Sequence, residues 1–181
     1  MTLVTWHPPA RRARGSRTLR RAAFWAVPLV LLLTAGAVVR SGPPPILINE
    51  TASLQRGLYL RIPRAEPARG SIAAVPQPDA AGAYLARLGV PPELPLIKRV
   101  AAAGGDRVCA DGQGLIAPYR VVAVRSRDRQ GRPLPVWRGC RILEADELLL
   151  LGDSPNSFDG RYFGPVRRNQ ILGIYREAIT W

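Results

Sequence analysis

The chain has 181 residues, 47% of them hydrophobic, and sets 26 basic against 13 acidic side chains for a formal net charge of +13. The length suits one domain with a real core. Six arginines and no acid fall within residues 1–21, whereas residues 41–181 hold 19 basic and 13 acidic side chains with no basic stripe interleaved with aromatics, so no nucleic acid partner is expected.

After the basic tail (1–21), residues 22–39 (AAFWAVPLVLLLTAGAVV) form eighteen uncharged positions bounded by Arg21 and Arg40. As a helix this segment would rise roughly 27 Å, close to the hydrocarbon thickness of a bilayer. Pro28 is tolerable there. The arginines before it predict a cytoplasmic N-terminus, and so a single uncleaved anchor with the body across the membrane. The alternative is a cleavable signal peptide, with Phe24–Ala35 as its apolar region and Ala35-Gly36-Ala37 as its cleavage site. Both put the body in a compartment that oxidises thiols. The only two cysteines, Cys109 and Cys140, are therefore expected to form a disulfide, with two buried free thiols as the alternative.

Residues 40–45 read as a stiff linker, and 46–181 as the body. Strands are expected at Ile46–Asn49, Gly57–Ile62, Gly70–Val75, Leu94–Ala103, Arg107–Ala110, Tyr119–Val124 and Glu147–Leu151. Residues 170–181 close the chain with alternating character. Asp79–Leu88 is the one clear helix, opened by an acid and stopped by Gly89. Arg125–Pro135 reads as an exposed hairpin or loop. Many short strands between Gly- and Pro-rich turns make the body mostly β.

The sole histidine, His7, lies in the tail, so the body has no His for a triad or a metal site. A separation of 31 residues between the cysteines matches no zinc spacing, and neither G-x-x-x-x-G-K-[ST] nor G-x-G-x-x-G is present. No metal and no cofactor are expected, and any base in the body must be Lys, Asp, Glu or Tyr.

Lys98 is the only lysine among the 26 basic residues. It sits in the apolar run Leu94–Ala103, where desolvation lowers a lysine pKa and the cationic neighbour Arg99 pushes the same way. A lysine made neutral near pH 7 takes a hydroxyl proton; the bland reading is a strand-edge lysine snorkelling to water. The partner would be Ser53, between two strand-like stretches and at most about 45 Å of extended chain beyond Arg40. Thr51, two residues earlier, would face the same side. Its hydroxyl would join the Ser53 N–H in stabilising an oxyanion.

Three motifs carry a family likeness: N-x-T-x-S-x-x-x-G-L-Y at Asn49–Tyr59, L-I-K-R-V-A at Leu96–Ala101 followed by G-D-R-V-C at Gly105–Cys109, and G-D-S-P-N-S-F-D-G-R-Y-F-G-P-V at Gly152–Val166. In this order behind an apolar segment, they resemble the type I signal peptidases, and most closely the TraF-type conjugative transfer peptidases. The resemblance implies a signal-peptidase-like, β-rich catalytic domain with one short helical insertion. It implies a Ser–Lys dyad serine endopeptidase with Ser53 as nucleophile and Lys98 as general base, Ser157 orienting the lysine amine, and Asp159 and Arg161 as a buried pair holding their loop.

The implied substrate is a polypeptide, a pilin precursor or another exported protein cut after a small residue. The implied location is the bacterial inner membrane with the catalytic domain periplasmic. Substrate binding is expected by strand addition at Ser71, Ile72, Ala73 and Ala74 and along Leu94–Lys98. Gln55 stands where the family often has Pro, and Gly160 where the wider motif has Ser. A general leader peptidase and a non-catalytic membrane-anchored assembly protein are the competing readings.

Overall fold

The computed structural model describes residues 42–181. The basic tail with His7, the apolar segment 22–39 and the start of the 40–45 linker lie outside the described residues. Among those described, no helix is long and apolar enough to cross a membrane.

The body is mostly β, with two short helices. Its larger sheet contains β1 (Ile46–Asn49), β2 (Gly57–Ile62), β3 (Ile72–Val75), β4 (Leu96–Ala103), β9 (Glu147–Leu151), β10 (Val166–Arg167) and β11 (Gly173–Thr180). They run in the order β1-β2-β11-β3-β4-β9-β10, each antiparallel to its neighbour. A second antiparallel sheet contains β5 (Arg107–Ala110), β6 (Gly114–Ala117), β7 (Arg120–Ala123) and β8 (Gly139–Ile142) in the order β7-β6-β5-β8. Linker residues 43–45 dock on the larger sheet: the Arg61 N–H donates to Pro45 O (2.9 Å) and the Tyr175 hydroxyl to Pro44 O (2.7 Å).

The run Glu147–Leu151 (ELLLL) is wholly buried because β9 has a core on each face. Successive side chains point to opposite sides of a strand. Leu148 and Leu150 join Ala73, Val75, Leu85, Val100 and Phe163 on one side. Leu149 and Leu151 join Ala102, Val108, Leu115 and Leu143 on the other. Burying a leucine contributes about 1.5–3 kcal/mol, so this strand ties both sheets into one body. A third cluster, Leu54, Tyr59, Ile72, Ala74, Ile97 and Tyr175, supports the turn that follows β1.

Helix α1 (Asp79–Arg87) buries Ala81, Tyr84 and Leu85, the spacing of one helical face. Asp79 in its first turn and Arg87 in its last both suit the helix dipole. Gly89 ends it in the left-handed region, with φ of 72°. The second helix, α2 (Gly160–Phe163), was not expected: it is a single turn inside the Gly152–Val166 motif, N-capped by the Asp159 side chain. Cys109 and Cys140 form the expected disulfide, at directly paired positions of β5 and β8.

Candidate active site

Ser53 lies in the turn between β1 and β2, and Lys98 in β4; their relative exposures are 8% and 4%. The Lys98 Nζ is 3.0 Å from Ser53 Oγ and donates to Ile97 O at 2.9 Å. Burial pushes the lysine pKa from 10.5 down to about 8; the nearby Asp159 carboxylate opposes that shift and the Arg161 guanidinium assists it. The expected role of Arg99 is therefore corrected. Alternation along β4 sends its side chain the other way, where it grips Asp153 through Nε to Oδ1 (3.1 Å) and NH2 to Oδ2 (2.9 Å).

Thr51 faces Ser53 as expected, with 2.9 Å between the two hydroxyl oxygens. Its own hydrogen goes to Asn49 Oδ1 at 2.8 Å. Among the described residues, no backbone carbonyl accepts from the Ser53 amide.

The Gly152–Arg161 segment packs against the same turn. The Asp153 N–H donates to Ser53 O at 2.6 Å, and Arg120 NH2 donates to Gly152 O at 2.6 Å. A Cβ at Gly152 would collide with the Ser157 hydroxyl and with Ser53 O, so the close approach of these segments needs glycine there. Asp159 and Arg161 are buried at 0% and 1% exposure and joined by Nε to Oδ1 (2.8 Å) and NH2 to Oδ2 (2.8 Å). The Asp159 carboxylate also accepts from the Gly152 N–H (2.8 Å), and Arg161 donates to the carbonyls of Ala123, Ser154, Pro155 and Ser157. The pair therefore ties the Gly152 end of the segment to its Ser157 end.

Two expectations are corrected here. The Ser157 hydroxyl is buried near Ser53 and Lys98 but has no hydrogen-bond partner among the described residues, so it does not orient the Lys98 amine; Ser53 and the Ile97 carbonyl do. Ser71, Ile72, Ala73 and Ala74 offer no edge for strand addition. β3 pairs with β11 on one side and β4 on the other, and Ser71 O already accepts from the Val100 N–H. The second expected edge differs: pairing of β4 with β9 stops at Arg99↔Leu151, leaving Leu96–Lys98 without a strand on that side among the described residues. This open stretch, with Ser53 and Lys98, lines a cleft of about 690 Å³ that Leu85, Leu88, Leu94 and Phe158 also line.

Asn49, Arg99, Arg120 and Asp153 were not singled out as site residues from sequence. Asn49 and Asp153 stood inside the quoted motifs, and Arg99 was noted only as a neighbouring charge. Arg120 carried no signal, because it reaches the site from β7 in the other sheet.

A family model described as signal peptidase, peptidase S26, matches residues 19–181. A plasmid transfer protein TraF of Escherichia coli is 34% identical over 165 residues, which is 83% of this chain and 90% of the relative. A probable conjugal transfer protein TraF of Sinorhizobium fredii is 37% identical over 91 residues, 48% of this chain and 47% of the relative. Among solved structures, a signal peptidase I from Enterococcus faecalis is similar with a TM-score of 0.37 and 18% identity, covering 61% of this chain and 97% of that one. The chain belongs to the signal peptidase family, peptidase S26.

Proposed function

We propose that the protein is a membrane-anchored serine endopeptidase that cuts a pilin or other exported precursor after a small residue during conjugative transfer. The observation that carries this reading is the 3.0 Å contact between a buried lysine amine and a serine hydroxyl, beside an open strand edge.

A precursor segment adds as a strand along Leu96–Lys98, which brings its scissile carbonyl to Ser53. The lone pair of neutral Lys98 takes the Ser53 hydroxyl proton as Oγ attacks the carbonyl carbon, and the carbonyl π electrons move onto its oxygen. The Ser53 N–H and the Thr51 hydroxyl bind that oxyanion. Collapse of the tetrahedral intermediate breaks the C–N bond, and the leaving amine takes the proton from Lys98. Water then gives a proton to Lys98 and attacks the ester. The second collapse returns the proton from Lys98 to Ser53 Oγ and releases the new carboxylic acid, which gives its remaining proton to solvent.

The likeness to conjugal transfer proteins supports a conjugative precursor as substrate. Mass spectrometry of the candidate pilin, co-expressed with the wild-type chain or with Ser53→Ala, tests this. A shortened pilin is expected only with the wild type. Processing that persists with Ser53→Ala contradicts the role of Ser53. Equal processing of a standard exported preprotein replaces the pilin assignment with general leader removal.

A further inference from the structure

Every polar valence of the Asn49 side chain is engaged by the turn that carries Ser53. Its two Nδ2 hydrogens are shared among the carbonyls of Thr51 (3.0 Å), Gln55 (3.0 Å) and Leu54 (3.2 Å). Its Oδ1 accepts from the Thr51 N–H (3.2 Å) and the Thr51 hydroxyl (2.8 Å). The residue is buried, and it is anchored at the end of β1 opposite Gly57.

The consequence follows from counting hydrogens. A hydroxyl has one hydrogen and two acceptor sites. Since the Thr51 hydrogen goes to Asn49, Thr51 Oγ1 is the acceptor in its 2.9 Å contact with Ser53 Oγ. While Lys98 is charged, the direction is fixed along the whole row. Lys98 donates to Ser53, Ser53 to Thr51, and Thr51 to Asn49. The serine proton then points away from the amine. When Lys98 loses its proton, the Ser53 hydroxyl turns to the amine and Oγ is free to attack.

We propose that Asn49 is a positioning residue that holds the Thr51 hydroxyl hydrogen in the resting site and releases it to the oxyanion. The exchange is favourable because a neutral amide oxygen is a weaker acceptor than an oxyanion, to which hydrogen bonds are shorter and roughly twice as strong. Asn49 thereby keeps that hydrogen off Ser53 Oγ, where it would lower the nucleophilicity of the attacking atom. This rests on the endopeptidase reading, since it assigns Asn49 a part in the same step.

The test is a double-mutant cycle on the full chain in detergent, using a peptide that spans the cut. Asn49→Ala, Thr51→Val and the double variant are compared for kcat and KM, with thermal unfolding of each. Asn49→Ala is expected to lower kcat by about 10²-fold, the usual scale for one oxyanion donor, with KM nearly unchanged. In the Thr51→Val background, which has no hydroxyl hydrogen to hold, the same change is expected to cost less than about tenfold. Equal losses in both backgrounds would make Asn49 a brace for the turn and overturn the proposal, as would an Asn49→Ala kcat within about twofold of wild type. If Asn49→Ala does not fold, Asn49→Ser, which keeps a turn-forming side chain too short to reach Thr51 Oγ1, is judged by the same criterion. Failure of both to fold assigns Asn49 to the turn alone and also overturns it. If instead the wild type and Ser53→Ala behave alike, the endopeptidase reading fails independently of Asn49.

Discussion

Lys98→Met is expected to abolish cleavage and, at pH 6, to make the folded chain more stable. The catalytic loss should be about 10⁴-fold or more, the scale seen when one member of a nucleophile–base unit is removed. The gain in stability has a different origin. The folded state depresses the lysine pKa from 10.5 to about 8, so below pH 8 the chain folds around an ammonium that would rather be in water. A shift of that size corresponds to about 3 kcal/mol. Methionine removes this penalty but strands the Ile97 carbonyl that Lys98 now satisfies, at about 1 kcal/mol. The net gain is about 2 kcal/mol at pH 6.

Between pH 8 and 10.5 the unfolded chain binds the proton that the folded chain has released, so wild-type stability rises with pH there. The advantage of the variant therefore shrinks through that window and is gone above 10.5. Denaturant unfolding of both proteins at pH 6 and pH 10 measures the difference. A Lys98→Met chain that is less stable than wild type at pH 6 would mean that the lysine is solvated or paired rather than desolvated.

Asp159→Asn should destabilise the fold by about 3–5 kcal/mol, the largest loss expected from a single side chain outside the dyad. The substitution is nearly isosteric, so no cavity is created. It leaves the Arg161 guanidinium buried with its charge uncompensated, and breaking one half of a buried pair costs that much. It also puts an amide N–H₂ where one carboxylate oxygen now accepts, against Arg161 or the Gly152 N–H. Urea unfolding of the wild type and Asp159→Asn tests this, and a loss of less than about 1 kcal/mol would contradict it. Activity should fall along with stability. The Gly152–Ser157 segment that this pair closes also grips the Ser53 carbonyl through the Asp153 N–H.

Legibility in the sequence followed physical self-sufficiency. β1, β2, β5 and β9 have the expected bounds, and α1 ends one residue early, because each has an apolar pattern and turn chemistry of its own. β8 (GCRI) is mostly exposed and owes its existence to β5 and the disulfide, so nothing in its own residues announced a strand. β6 lies in the Gly- and Pro-bounded run 111–118, and α2 is a single turn inside a Gly- and Pro-rich motif, so turn signals masked both. Tyr119, expected as the start of a strand, is a left-handed turn residue with φ of 63°, and β7 begins after it.

The same division holds at the site. The contact between Lys98 and Ser53 was legible because one lysine in an arginine-rich chain, placed in a greasy strand, is chemically conspicuous. The edges of β3 were not, since which strands flank Ile72–Val75 is decided by β11, about a hundred residues downstream. The direction of the Arg99 side chain was open to inference, because neighbours on a strand face opposite ways. The turn of the Ser157 hydroxyl away from Lys98 depends on local packing that spacing does not encode.

Beside Ser53, burial holds the Lys98 amine well below the ordinary lysine range, so a working fraction of it is neutral near physiological pH. Because Lys98 is the only lysine in the chain, incorporation of ¹³Cε-lysine gives one protein signal whose chemical shift reports its protonation directly. Titrating the full-length protein in detergent should move that signal with a midpoint near pH 8. A midpoint at the ordinary lysine value of about 10.4 would contradict the claim.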